Sequence, residues 1–221
     1  MKLVALAFAS LTLATAALSD TNDKQNRVEE LKATIIEIAG DATRNDAPAL
    51  LTRNSLDPLV NELLELSPTA TEPERAALVA GGWRNVWTDN GFGPGTDPFS
   101  VYQVVSKDGF YYNISSVTTA AGTFTSFLRG AYETKASYLA IEFTSNGINN
   151  TVYHPGTNLI DLAQRVEAGQ VATTPVPGPI GVTGVLMNIF VDDELRIVYG
   201  NSSFNSRPRL FILTRSDVIA H

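Results

Sequence analysis

The chain has 221 residues, of which 44% are hydrophobic and 18% are charged; this composition excludes disordered and fibrous proteins and favours a single folded domain. The formal net charge of −7 argues against a nucleic-acid partner, because phosphate binding requires clustered lysine and arginine. No cysteine is present, which excludes disulfides, thiolate metal sites and cysteine nucleophiles.

Residues 1–19 differ from the rest of the chain. Lys2 precedes an apolar run that ends at Leu18, and small residues lead into the polar Asp20. This pattern predicts a cleavable signal peptide. The alternative is a short membrane anchor, but the run is shorter than the ~20 residues that span a bilayer. The exported protein would then lie in a bacterial periplasm, be secreted, or enter the first step of a secretory route to a plastid.

Residues 20–80 have the spacing of helices. In the first predicted helix, charged residues separate four apolar residues that share one face, namely Val28, Leu31, Ile35 and Ile38. Gly40 marks the predicted end of this helix. A second helix is predicted from about Leu56 to the residue before Pro68. A capping-box pattern at 71–74 predicts a short third helix. We expect these amphipathic helices to cover one end of the following domain rather than to dock on lipid.

From Gly82 the apolar pattern changes to a period of two, which is typical of strands. Strands are predicted at 83–87, 99–106, 110–117, 123–132 and 138–143. A short helix is predicted to start at Asn158 and to end at Gly169, and a loop rich in proline and glycine follows at 175–184.

The strongest hairpin signal lies at 189–200, where two apolar runs flank the acidic residues 192–194. A further apolar run follows at 210–213. Short strands at roughly regular spacing, preceded by helices, predict an α+β fold in which residues 81–221 form an antiparallel β-barrel.

These residues resemble the plastid lipid-associated proteins, also called plant fibrillins, a family with a lipocalin-like β-barrel. The main match is Phe190-Val191-Asp192-Asp193-Glu194-Leu195-Arg196-Ile197 with Gly200. Supporting matches are Leu66-Ser67-Pro68-Thr69, Gly82-Trp83-Arg84, Val101-Tyr102-Gln103 and Leu210-Phe211-Ile212-Leu213. The chain departs from the family at Tyr199, where arginine is usual, in the longer segment 201–209, and in having a simple signal in place of a plastid transit peptide.

The resemblance implies non-catalytic binding or carriage of a hydrophobic small molecule such as a lipid, quinone or carotenoid, with no cofactor or metal. It also implies a lipid-body or membrane surface as a partner. A barrel of about eight strands can hold one such ligand. The aromatic candidates for its pocket are Trp83, Tyr102, Phe110, Tyr112, Phe124, Phe127 and Phe211. The alternative for each is ordinary core packing.

Asp192, Asp193 and Arg196 are the polar candidates for the binding site. Arg196 could form a bidentate contact with a lipid carboxylate or phosphate. Alternatively, the aspartates form the turn of the hairpin and Arg196 fixes that turn to a neighbouring strand.

Enzyme classes find little support in this sequence. The histidines are His154 and His221, and no nucleophile-elbow, P-loop or zinc-protease motif occurs. We therefore expect no catalysis. The alternatives to a carrier are a structural or adaptor protein whose barrel is filled by its own side chains and, less favoured, a hydrolase that uses His154.

Overall fold

The computed structural model describes residues 5–67, 72–135, 138–202 and 208–220, with side chains for all of these except 5–21, 72–73 and 202. The predicted signal peptide falls on residues that are either undescribed or described only as backbone, so it stays a prediction. The backbone from residue 5 onward belongs to the first helix.

Four helices are formed by the described residues: α1 (Ala5–Arg44), α2 (Ala49–Leu66), α3 (Glu72–Val79) and α4 (Leu159–Glu167). Helix α1 continues past Gly40, the predicted end, and α2 starts at Ala49, before the predicted start at Leu56. Helix α4 follows the prediction, because the Asn158 side chain accepts a hydrogen bond from the Asp161 amide at 2.8 Å and caps its first turn. In the described part of the chain, no helix has both the length and the apolar character needed to span a bilayer.

Nine strands follow in the described residues: β1 (Gly81–Thr88), β2 (Thr96–Val105), β3 (Phe110–Thr119), β4 (Gly122–Lys135), β5 (Tyr138–Asn149), β6 (Thr174–Pro175), β7 (Thr183–Val191), β8 (Leu195–Ser202) and β9 (Arg209–Arg215). All paired neighbours are antiparallel. The order is β4-β3-β2-β1-β9-β8-β7-β5, and β4 also pairs with β5, so eight strands close into a barrel with β6 attached to β5. The predicted α+β fold with an antiparallel barrel and N-terminal helices is therefore confirmed.

The barrel closes at a bulge between β4 and β5. The register shifts between Arg129 and Gly130, where the sheet must bend. A Cβ atom on Gly130 would lie 2.7 Å from Ile141 Cγ2, so the close approach of the two strands requires glycine.

The outer wall of the barrel is covered on two sides. Helices α1 and α2 pack Leu31, Ile35, Leu56, Val60 and Leu63 against outward residues of β1, β8 and β9, namely Trp87, Leu195, Ile197, Leu210 and Ile212. On another side, α4 packs against outward residues of β2, β3 and β4. Helices α1 and α2 thus cover the side of the barrel and not the end for which they were predicted, whereas α3 does lie at one end.

Candidate functional site

The interior of the barrel is closed at the end where β1 begins. Val79, the last residue of α3, packs in the same cluster as Trp83, Val105, Leu139, Val198 and Leu213, whose side chains point inward. Trp83 Nε1 donates a hydrogen bond to the Val79 carbonyl at 2.8 Å. Helix α3 therefore stops this end of the barrel.

Arg215 fixes that stop from the last strand. Its Nη1 and Nη2 atoms donate to the carbonyls of Ala80, at 2.9 Å, and Leu78, at 2.6 Å, at the C-terminal end of α3. Its guanidinium carbon also lies 3.8 Å from the centroid of a Trp83 ring. A cation at a helix C-terminus satisfies carbonyls that have no partner within the helix, which stabilises the stop.

Toward the other end, the barrel contains a cavity of about 420 Å³. All eight barrel strands contribute to its lining. The apolar part of the lining includes Val101, Leu128, Ile141, Phe143, Leu186 and Phe211. The loop after β1 contributes Phe92, and the loop before β7 contributes Pro179 and Val182, so these loops form the described part of its mouth.

Arg196 lies deep inside the barrel, below this cavity. It is 0% exposed, and it donates from Nε to Asn188 Oδ1 at 2.7 Å and from Nη1 to Gln103 Oε1 at 3.2 Å. Its Nη2 atom is buried without a hydrogen-bond partner among the described residues. Burial lowers the pKa of the guanidinium to about 10, so Arg196 remains charged at neutral pH.

The remaining polar groups of the cavity lie on neighbouring strands. Gln103 and Asn113 are directly opposite each other in the ladder between β2 and β3, and both line the cavity. The Tyr111 hydroxyl donates to Asn113 Oδ1 at 2.7 Å. Asn85 Oδ1 and Thr88 Oγ1 are buried without a partner among the described residues, and both residues contribute to the lining.

The structure divides the residues predicted to bind a ligand into three groups. Trp83, Arg196 and Phe211 have side chains inside the barrel; of these three, Phe211 lines the cavity, whereas Trp83 and Arg196 lie toward the closed end. Four aromatic residues point outward instead and pack in the cluster that α4 covers: Tyr102, Phe110, Tyr112 and Phe127. Their position corresponds to the alternative of core packing. Phe124 is half-buried on β4.

The acidic residues form the third group, at the turn between β7 and β8. Asp192 Oδ1 accepts hydrogen bonds from the amides of Glu194, at 2.8 Å, and Leu195, at 2.7 Å, which is the geometry of a turn-forming aspartate. Asp193 is exposed, and its carbonyl accepts from Arg215 Nε at 3.4 Å. Arg196 reaches the barrel interior rather than either carboxylate.

Gln103, Asn113 and Asn188 were missed by the sequence analysis. The alternation of β2 does indicate that Gln103 and Tyr102 face opposite sides, and this was the available signal. His154, the residue of the hydrolase alternative, is exposed in the segment before α4. No cluster of metal-ligating side chains occurs among the described residues.

Comparisons of this chain with protein-family models, with curated proteins and with solved structures returned no match. The geometry of the barrel interior is therefore the basis for the proposed function.

Proposed function

We propose that this protein binds a hydrophobic small molecule of the lipid class inside its barrel, without catalysis. The observation that carries this proposal is the cavity of about 420 Å³, to which every barrel strand contributes. Ligand pockets commonly have volumes of ~300–1,000 Å³ with a mainly apolar lining and a few polar groups, and this cavity lies in the lower part of that range.

The two ends of the barrel support the same proposal. Helix α3 and Arg215 stop one end, whereas the described residues at the other end are loops around a cavity. A barrel of eight strands is just wide enough to hold either its own side chains or one small ligand. The resemblance to the plastid lipid-associated proteins agrees with a ligand of this kind, and we retain membership of that family as part of the proposal.

A pair of neighbouring substitutions tests whether a guest occupies the interior. Leu186 lines the cavity, whereas Met187, the next residue of β7, is exposed on the outer side. Leu186→Trp should fill part of the cavity, and Met187→Trp adds the same ring outside it. We expect Leu186→Trp to weaken binding of Nile red at least about tenfold and Met187→Trp to change it less than about twofold, as measured by fluorescence titration.

Thermal melting of both variants checks that each is folded. If the folded Leu186→Trp protein binds Nile red as well as the wild type does, the guest lies outside the barrel and the proposal is wrong. Absence of binding in the wild type, together with no retained apolar molecule in native mass spectra, favours instead the adaptor with a filled barrel.

A further inference from the structure

We propose that the guest is an amphiphile with a single carboxylate, bound with this head group inward at Gln103 and Asn113 above Arg196 and with its apolar tail toward the mouth. The inference rests on the proposed function, because it needs a guest in the cavity. It adds the chemical class and the orientation of that guest.

Arg196 has no counter-charge among the described residues. Its hydrogen-bond acceptors are two neutral amides, on Asn188 and Gln103, and no described carboxylate lies within ion-pair distance. One further donor, Nη2, has no partner among the described residues. Burial of a cation is costly unless an anion or sufficient acceptors compensate it, so this site is electropositive and favours an anionic guest.

The hydrogen bond to Arg196 fixes the orientation of the Gln103 amide. Arginine has donors and no acceptor, so the Gln103 group that faces Arg196 must be its oxygen, Oε1. The group that remains for the cavity is therefore the NH₂ donor. The cation behind the amide polarises it, which strengthens the hydrogen bonds that the NH₂ group can donate.

Asn113 presents a second donor of the same kind. Its Oδ1 atom accepts from the Tyr111 hydroxyl, which leaves its NH₂ group as the free polar end. Because Gln103 and Asn113 are directly opposite on β2 and β3, the two NH₂ groups lie on adjacent strands of one wall. A carboxylate has two acceptor oxygens, which matches two neighbouring donors.

The direction of strand β2 indicates where the tail of the guest would lie. Strand β2 runs from the mouth toward the stopped end, so Val101 lies on the mouth side of Gln103. The loops at the mouth contribute further apolar residues to the lining, namely Phe92, Pro179 and Val182. An apolar path therefore leads from Gln103 past Val101 to the mouth, and a tail would extend along it.

A neutral alcohol is the main alternative to a carboxylate as the head group of the guest. Asn85 Oδ1 lines the same cavity as an acceptor without a partner, and a hydroxyl could donate to it, whereas a carboxylate could not. Comparing an acid with the alcohol of equal chain length therefore tests the head group and leaves the tail unchanged.

The experiment measures displacement of Nile red from the full chain by lauric acid and by lauryl alcohol at neutral pH. We expect the acid to bind at least about tenfold more tightly than the alcohol, since hydrogen bonds to charged groups are the stronger ones. In Arg196→Gln this preference should fall to less than about threefold. The matched variant Arg165→Gln removes an arginine from the exposed face of α4 and should keep the wild-type preference.

The outcomes separate the two proposals. Equal binding of acid and alcohol to the wild type overturns the carboxylate assignment and leaves the proposed function in place, and this result does not depend on any variant. A preference that persists in Arg196→Gln overturns the role of Arg196. If the wild-type protein binds neither compound nor Nile red, both the inference and the proposed function fail.

Discussion

Lys32 Nζ lies 2.7 Å from Asp192 Oδ2 and so ties α1 to the turn between β7 and β8. The same ammonium pairs with Glu194 at 3.0 Å and with Glu29 at 3.1 Å, although the Lys32 side chain itself is only 6% exposed. Burial is the largest single influence on the pKa of Lys32 and lowers it. The hydrogen bonds to the three carboxylates together outweigh burial, so the pKa lies above its ordinary value. One lysine thus links the longest helix to the predicted acidic turn.

Lys32→Met should destabilise the protein by about 1–2 kcal/mol, because it leaves the Asp192 carboxylate without its nearest cation while the apolar stem stays packed. Urea unfolding followed by circular dichroism measures the loss. Lys107→Met, at an exposed turn position, is the matched control and should change stability by less than about 0.5 kcal/mol. Equal effects of the two variants would show that the link contributes nothing to stability.

The contact between Arg129 and Glu167 should make stability depend on acidic pH. Hydrogen bonds from Arg129 are the main reason that the pKa of Glu167 lies below its ordinary value. A carboxyl group whose folded pKa is lowered stabilises the protein above its unfolded pKa, about 4.3, and this contribution is lost as the pH falls through the folded pKa.

Glu167→Gln should therefore flatten the decline in unfolding free energy below about pH 4.5, and Arg129→Gln should flatten it in the same way. Chemical unfolding at a series of pH values measures the slope. A slope in both variants as steep as that of the wild type would assign the acid sensitivity to other carboxylates.

Trp83 should matter more for stability than its size alone suggests. Trp83→Phe removes the hydrogen bond to the Val79 carbonyl. It also weakens the cation–π contact with the Arg215 guanidinium, because phenylalanine is a poorer partner than tryptophan. We expect a loss of about 1–3 kcal/mol, with α3 affected first. Hydrogen exchange of the α3 amides should increase in this variant but not in Trp87→Phe, which changes the outer cluster under α1 and α2. Unchanged exchange in α3 would argue against its attachment through Trp83.

Gly130→Ala should strain the closure of the barrel. The added Cβ atom would lie 2.7 Å from Ile141 Cγ2 and 3.1 Å from the Glu142 carbonyl oxygen, which are too close for undistorted strands. We expect a destabilisation of about 1–3 kcal/mol by thermal melting. The comparison variant is Ala140→Gly, which removes a methyl group from the adjoining strand β5. Gly156→Val would not serve, because Gly156 has a positive φ angle that valine rarely adopts. If Gly130→Ala melts at the wild-type temperature, the strands can separate at this bulge without cost.

The sequence predicted the closed sheet because its signals are local. The capping asparagine of α4, the acidic residues of the turn and the alternation in β2 and β3 each follow from neighbouring residues. Cover of the barrel by the N-terminal helices was also predicted, but at one end, whereas α1 and α2 lie on its side. Their placement depends on contacts between distant segments, which local sequence patterns do not specify.

The site was harder to predict because the helices bury the outer face of part of the barrel wall. Tyr102 and Tyr112 are apolar in character and were assigned to the interior, yet α4 covers them from outside. Gln103 and Asn113, their polar neighbours, face inward. In a barrel without covering helices the outer residues would be polar and the alternation would identify the interior, but here the part of the outer face under the helices is also apolar.

The closure of one barrel end by α3 and Arg215 bears on how the proposed guest would be exchanged. In that proposal, capture and release would use the same mouth in opposite directions. Delivery to a recipient would then require the rim that contains Phe92 and Pro179 to face it.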